Sequence, residues 1–317
     1  MKRYMKTALW PMTMLLMAAL VFASCKDTKQ KAPVIDDEEE EEQEATVDDI
    51  EADETVEVST AREFLLALRS NTHIIINNDV PMNITDALDD LIDEGRITLR
   101  EHGSNAGGLF YLDEYDGNSL VVARRHDIII EGKKGLDVEF IATPSYADVI
   151  RFENCKNIQV KNITMGHKVT GGCSGDVLVF NQCKDITVDG CNLYGCGVNG
   201  LTLDHSSKVN VSNTQLYGCS DYGVQMSSAE NATFNKCSIY DNGGGIWTDE
   251  YCSNVLFEKC ELYGNHGQLF FCYSDITLKK CSVKHHHDDI TGNVKFRDCE
   301  VDMDYAEAEE YPDIEED

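Results

Sequence analysis

Basic residues are scarce in this 317-residue chain: 27 Lys and Arg stand against 57 Asp and Glu, a net charge of −30. A field of that sign repels phosphate backbones and argues against nucleic acid as a partner. No apolar run approaches the ~20 residues that a membrane-spanning helix needs. The longest, 8–22, is interrupted by Pro11 and Thr13. Only 5 Pro occur, which excludes a polyproline or collagen-like chain. No Cys pair has the two-residue spacing of a zinc site, although there are 13 Cys. Helical periodicity is scarce beyond residue 70, so a helical bundle is excluded as well.

What is present begins with two distinctive ends. Lys2, Arg3 and Lys6 precede the apolar run, which ends in Phe22, Ala23, Ser24 and Cys25. Residues 1–24 read as a cleaved export signal. Small residues before a Cys resemble the lipobox of bacterial lipoproteins, which implies lipidation of Cys25, attachment to the outer membrane, and a periplasmic-facing or cell-surface location. Residues 25–55 follow as an acidic tether. Its part from 36 to 54 holds 13 carboxylates and no Lys or Arg, so it cannot bury enough surface to offset chain entropy. An acidic stretch soon after a lipidated Cys also resembles the surface-export signals of Bacteroidetes lipoproteins. A second acidic run, 302–317, carries nine carboxylates, and 304–317 reads as a tail. The two runs account for 22 of the 30 net negative charges, so the remainder is only mildly acidic.

Between them the sequence repeats. Ile158, Ile186, Val209, Ala232, Val255, Ile276 and Val294 are equivalent positions, spaced by 28, 23, 23, 23, 21 and 18 residues. Each repeat has alternating apolar positions, as at Ile186/Val188, Cys191/Leu193 and Leu201/Leu203. Three short strands per repeat predict a triangular coil, and coils that cannot bury an inner face alone must stack, at ~4.8 Å per turn. A column of Asp127, Asn157, Asp185, Lys208, Asn231, Asn254, Asp275 and Asn293 marks one corner, with Lys208 as its exception. A second column reads Ile163, Cys191, Thr214, Cys237, Cys260, Cys281 and Cys299. These Cys are expected to stack inward as reduced thiols, with Cys196/Cys219 the better candidate for a pair.

These repeats resemble the pectin-lyase-like superfamily over roughly 55–303. The resemblance implies an all-β fold, a right-handed parallel β-helix solenoid over 56–303, and leaves function open, because that fold hosts lyases, hydrolases, adhesins and inert scaffolds. A helix over 60–69, opened by a Thr60/Glu63 capping box, is expected to cap the first coil. An insertion at 77–118, with a short helix over 86–92 and a Gly-rich loop at 102–108, is expected to cover part of the N-terminal coils, since long solenoid insertions commonly project on one face and form the walls of a cleft.

Enzymes of the superfamily work along an outer sheet groove. Hydrolases need paired carboxylates, and lyases need a base with Ca²⁺ or another cation. Asp204, His205 and Lys208 lie where the Asn column is broken. Counting by repeats puts Glu250 two coils from Asp204, ~9.6 Å along the stack, near the upper separation of an inverting pair. The hydrolase and calcium-site signatures of the superfamily are otherwise missing, and turn residues explain these positions equally well. Tyr194, Tyr217, Tyr240 and Tyr263 recur at 23 residues as an outward column, with Trp247 and Phe270 outward on the third strand. They either stabilise the sheet or offer a platform to sugar rings. Residues 285–289, three His and two Asp, read as a solvated corner, not a metal site.

The leading expectation is an envelope module without demonstrable catalysis and without a cofactor, binding polysaccharide or another envelope component. The alternatives are a polysaccharide lyase, with Ca²⁺ as its cofactor, or a glycoside hydrolase, and a structural spacer or adhesin.

Overall fold

The structure, a computed structural model, describes residues 52–168, 174–195, 197–285 and 290–303. The export signal, Cys25, the tether up to residue 51, Cys196, residues 286–289 and the tail 304–317 lie outside the described residues.

Each coil carries three strands on three faces. The first face runs from Glu54–Val58 and Thr72–Ile76 through His126–Gly132, Lys156–Lys161, Lys184–Asp189, Ser207–Ser212 and Glu230–Asn235 to Ser253–Glu258. Its register aligns Ile158, Ile186, Val209, Ala232 and Val255 as the repeat predicts. The second face is a nine-stranded parallel sheet ending in Ser282–His285 and Glu300–Met303. The third includes Ile150–Glu153, Leu178–Asn181, Leu201–Asp204, Tyr222–Ser227 and Gly244–Thr248. Alternate side chains turn inward, and the interior is layered: Phe234 lies 4.3 Å from Phe257, and Phe152 lies 5.2 Å from Phe180, both stacked. All pairings are parallel except the hairpin Gly108–Asp113/Asn118–Ala123.

The corners explain the polar columns. Asp127, Asn157, Asp185, Lys208, Asn231 and Asn254 all have φ between 54° and 59°. Left-handed backbone costs an L residue ~1–2 kcal/mol, least for Asn and Asp, whose short side chains bond locally. The column is thus selected by backbone conformation, and Lys208 (φ 56°) obeys it. Asp275 and Asn293 do not belong to it: strands Phe270–Lys279 and Ile290–Arg297 run through that corner unbroken, with a register shift between Cys272 and Ile276.

The Cys column that includes Cys191 and Cys299, and a second one formed by Cys155, Cys183, Ser206, Ala229 and Cys252, supply hydrogen bonds as well as filler. Cys183 Sγ accepts the Cys155 N–H (3.3 Å), Cys281 Sγ the Cys260 N–H, and Cys299 Sγ the Cys281 N–H (both 3.4 Å). Where Ser206 and Thr214 replace Cys, their hydroxyls accept the same bond from Cys183 and Cys191. The ten described Cys, Cys219 included, are free thiols.

At the N-terminal end, α1 (Ala61–Ala67) has the expected capping box, and buries Phe64 against Phe140 at 4.6 Å. The first strand starts at Glu54, two residues before the expected domain boundary. Inside 77–118, Met82–Asn83 is part of the second face rather than of an insertion, because it pairs with Phe140 and Ile141. The second helix, α2, spans Ile84–Asp93 and is capped by Asn83. No described helix is long and apolar enough to cross a membrane.

Candidate functional site

The corner after Leu201–Asp204 brings together only part of the expected cluster. His205 is left-handed (φ 50°), and its Nδ1 lies 2.6 Å from Asp204 Oδ1. Lys208 turns away, toward Asp185 of the preceding coil, with Nζ 3.5 Å from Oδ1. Glu250 is out of the column. Met226 pairs with Thr248, so Asp249 is the residue that follows Ser227 in the stack, while Glu250 is exposed on the turn beyond. Glu230 pairs with Ser253, so residues 249–252 turn the corner that 227–229 turn one coil earlier, and this additional residue displaces the count by one. Asp249 is fully engaged: it accepts the Ser227 hydroxyl (2.8 Å) and the N–H groups of Ser228 and Tyr251 (3.0 Å each). Its partial burial acts to raise its pKa, but these bonds outweigh it and hold the carboxyl below its ordinary value. The corner therefore offers one exposed Asp–His pair, without a second carboxylate free to work with it.

The Tyr column is real, but its geometry differs from a platform. Tyr217, Tyr240 and Tyr263 stack at 4.9 Å with interplanar angles of 3–5°, and Tyr194 joins at 5.9 Å. The rings face one another along the stack, leaving edges and hydroxyls outward. Tyr194 hydrogen-bonds Glu139, and Tyr240 donates to Gln215 at 2.9 Å. A sugar-stacking surface needs a free ring face, which an interior member of this column lacks.

The third face holds a different aromatic group. Phe270 is completely buried, so its expected outward position is corrected. Register pairs Trp247 with Phe271, and Ile246 with Phe270, because Phe270–Lys279 starts one residue later than the repeat count implies. Trp247 and Phe271 are half-buried on the outer surface, and Tyr273 is 54% exposed, edge-on to Phe271 at 5.0 Å. Gln225 flanks Trp247 in register, and Tyr251 (68% exposed) stands on the following turn.

Two features have weak sequence signals. The first is a polar ladder before the third-face strands. Ser119 Oγ accepts the Asp148 N–H (2.9 Å), Asp148 the Asp176 N–H (2.8 Å), Asp176 the Asn199 N–H (3.0 Å), and Asn199 the Tyr222 N–H (3.2 Å). Only the recurrence of Asp148, Asp176 and Asn199 two residues before Ile150, Leu178 and Leu201 hints at it. The second is a cleft of about 400 Å³, lined by loop residues from Arg100 to Asn105 and by Arg124, Glu153, Asn154, Asn181 and Gln182. Asp204 and His205, which an enzymatic site would project into a cleft beside the insertion, are not among its lining residues. No group of three or more His, Cys, Asp or Glu among the described residues could hold a metal ion.

Residues 176–303 match the family described as the right-handed β-helix region. No curated protein matches the chain in sequence. Among solved structures, the chain is similar to pectate lyase Pel9A (10% identity, TM-score 0.45, covering 78% of this chain and 72% of that one). It is also similar to an alginate lyase from Paenibacillus sp. str. FPU-7 (10%, 0.47, 80% and 98%). A third is PfbA, a surface adhesin of Streptococcus pneumoniae (10%, 0.29, 79% and 80%). The three-faced parallel stack, with this match over 176–303, has the fold of a right-handed parallel β-helix solenoid.

Proposed function

We propose that this protein is a cell-envelope lipoprotein, anchored through Cys25, whose β-helix binds carbohydrate on its outer third face without cleaving it. The observation that carries the reading is the group Trp247, Phe271 and Tyr273, on adjacent coils and partly open to solvent. Aromatic rings beside amide and hydroxyl groups suit a sugar, which presents apolar C–H faces and polar edges together. Gln225 supplies the neighbouring amide. Binding without cleavage is supported by the corner, where Asp249 is saturated by hydrogen bonds and Glu250 stands apart.

The test uses the purified full chain on a glycan array, with product release followed on the same polysaccharides. Trp247 is a convenient reporter, since the only other Trp is Trp10 in the export signal. A bound glycan should protect Trp247 fluorescence from quencher, and Trp247→Ala should abolish binding. If no glycan protects Trp247, the reading fails. Product release that is lost in an Asp204→Ala, His205→Ala double variant would replace it with the enzymatic alternative. The anchor is tested separately: labelled fatty acid should enter the native chain in cells, and not a Cys25→Ser variant.

A further inference from the structure

The cleft beside the insertion plays no part in the reading above. One wall is the loop from Arg100 to Asn105, turned at Gly103 with φ 72°. The other is the corner where the third face meets the first. There Arg124, Asn154 and Gln182 occupy three consecutive coils in the same left-handed conformation (φ 51°, 53° and 54°). Coil stacking therefore aligns one guanidinium and two carboxamides along a single wall, with Asn181 beside them.

The charges are arranged asymmetrically. Arg100 has a side chain only 7% exposed and lies over the Phe110 ring at 4.9 Å. Its Nε donates to Glu153 (2.9 Å) and its Nη1 to the Ala106 carbonyl (3.0 Å). Glu153 also accepts from Arg151 Nε at 3.2 Å, so two guanidinium groups share that carboxylate. Arg124 has no ion pair among the described residues. Its Nη2 donates to the Asn105 side chain at 2.6 Å, which ties the guanidinium to the loop of the facing wall. Glu101, the other acidic lining residue, is exposed on the loop.

We propose that this cleft binds a small hydroxylated anion, such as a sugar acid or sugar phosphate. Arg124 holds the oxyanion, with Arg100 behind it. A guanidinium fork matches the oxygen pairs of both carboxylate and phosphate. Asn154, Asn181 and Gln182 hold the hydroxyls, because a carboxamide can both donate and accept as each hydroxyl requires. The cavity, about 400 Å³, is of the size that small polar ligands fill.

The experiment is calorimetric titration of the full chain with glucuronate, glucose 6-phosphate, glucose and inorganic phosphate. The first two should bind, with glucose weaker by about tenfold or more, as loss of a charge-assisted contact implies. The carboxylate and phosphate arms decide between the two oxyanions. Arg124→Met should weaken the bound sugar anion by about tenfold or more, with an unchanged circular dichroism spectrum, and added salt should weaken it too. Trp247→Ala should leave it unchanged, which separates this site from the glycan-binding face. The proposal is overturned if neither sugar anion binds, if Arg124→Met has no effect, or if inorganic phosphate binds as tightly as the sugar anions.

Discussion

The carboxylate of Asp148 accepts the backbone N–H of Asp176 at 2.8 Å, which places two carboxyl groups on successive coils of one polar ladder. Burial, and then the charge of Asp148, raise the pKa of Asp176 to about 6. In the unfolded chain the same group titrates near its ordinary value, so between about pH 4 and pH 6 the folded state holds more protons. This site therefore favours folding at low pH and loses that contribution as pH rises through 6. Above pH 6 the ionised carboxyl costs roughly 2–3 kcal/mol, two pKa units' worth. Asp176→Asn keeps an oxygen for the Asn199 N–H and side-chain amide (3.0 Å each), and its amide can donate to the Thr202 oxygen in place of the present 2.6 Å bond. The variant should be more stable than wild type at pH 8, with the difference vanishing near pH 4, in urea unfolding midpoints. An equal difference at both pH values would refute the assignment.

Cys183 tests the hydrogen-bonding role of the Cys columns. Its sulfur accepts the Cys155 N–H, and Ser206 does the same work one coil on. Cys183→Ser should cost under about 1 kcal/mol, whereas Cys183→Ala leaves a buried N–H without an acceptor and should cost roughly 1–3 kcal/mol. Thermal melts of the two variants decide the point, and equal losses would make the thiol mere filler. Because burial pushes the Cys183 thiol well above its ordinary pKa, it should resist thiol reagents until the chain unfolds.

Gly166 carries the first ring of the Tyr column. A Cβ there would lie 2.4 Å from the Tyr194 carbonyl oxygen and 2.7 Å from its ring. Since backbone cannot yield as a side chain does, Gly166→Ala should cost about 1–3 kcal/mol, as overpacking does. Tyr194→Ala, Gly166→Ala should recover part of that cost if the ring clash contributes. Chemical denaturation of both variants measures it, and a fully tolerated Gly166→Ala would contradict the packing.

The repeat was legible because one physical rule, inward alternation at coil spacing, acts on every coil from Ile158 to Val255 alike. It became misleading where coils change length. Phe270 and Glu250 were each displaced by one residue because counting assumes constant corners, while the coil is one residue short before Ile246, one residue long between Thr248 and Ser253, and Cys272 to Ile276 runs straight. A one-residue slip inverts every side chain of a strand, so Phe270 exchanged places with Phe271. The cleft was less legible still. Arg100 and Arg124 are 24 positions apart and share no pattern; only the folded insertion brings them to one cavity. The corner at His205 and Lys208 looked chemical because neither residue is Asn or Asp. Backbone conformation accounts for both positions, since His205 (φ 50°) and Lys208 (φ 56°) are left-handed corner residues.

Lys208 gives the last prediction, because it separates a corner from a site. In the same column Asn157 donates its side-chain amide to Asp127 (2.6 Å), and Asn254 donates to Asn231 (3.0 Å). Lys208 replaces such a bond by a 3.5 Å contact to Asp185, made by a side chain that is 61% exposed. An exposed ion pair of this kind contributes little. Asn, by contrast, tolerates the left-handed backbone better and can bond the coil on either side, Asp185 below and Asn231 above. Lys208→Asn should therefore raise stability by about 0.5–1 kcal/mol, a shift of a few degrees in Tm for a chain of this size. Glycan binding and sugar-anion binding should both be unchanged. A stability gain accompanied by loss of either binding would mean that Lys208 is kept at a cost for its charge, and would return the corner to the functional surface.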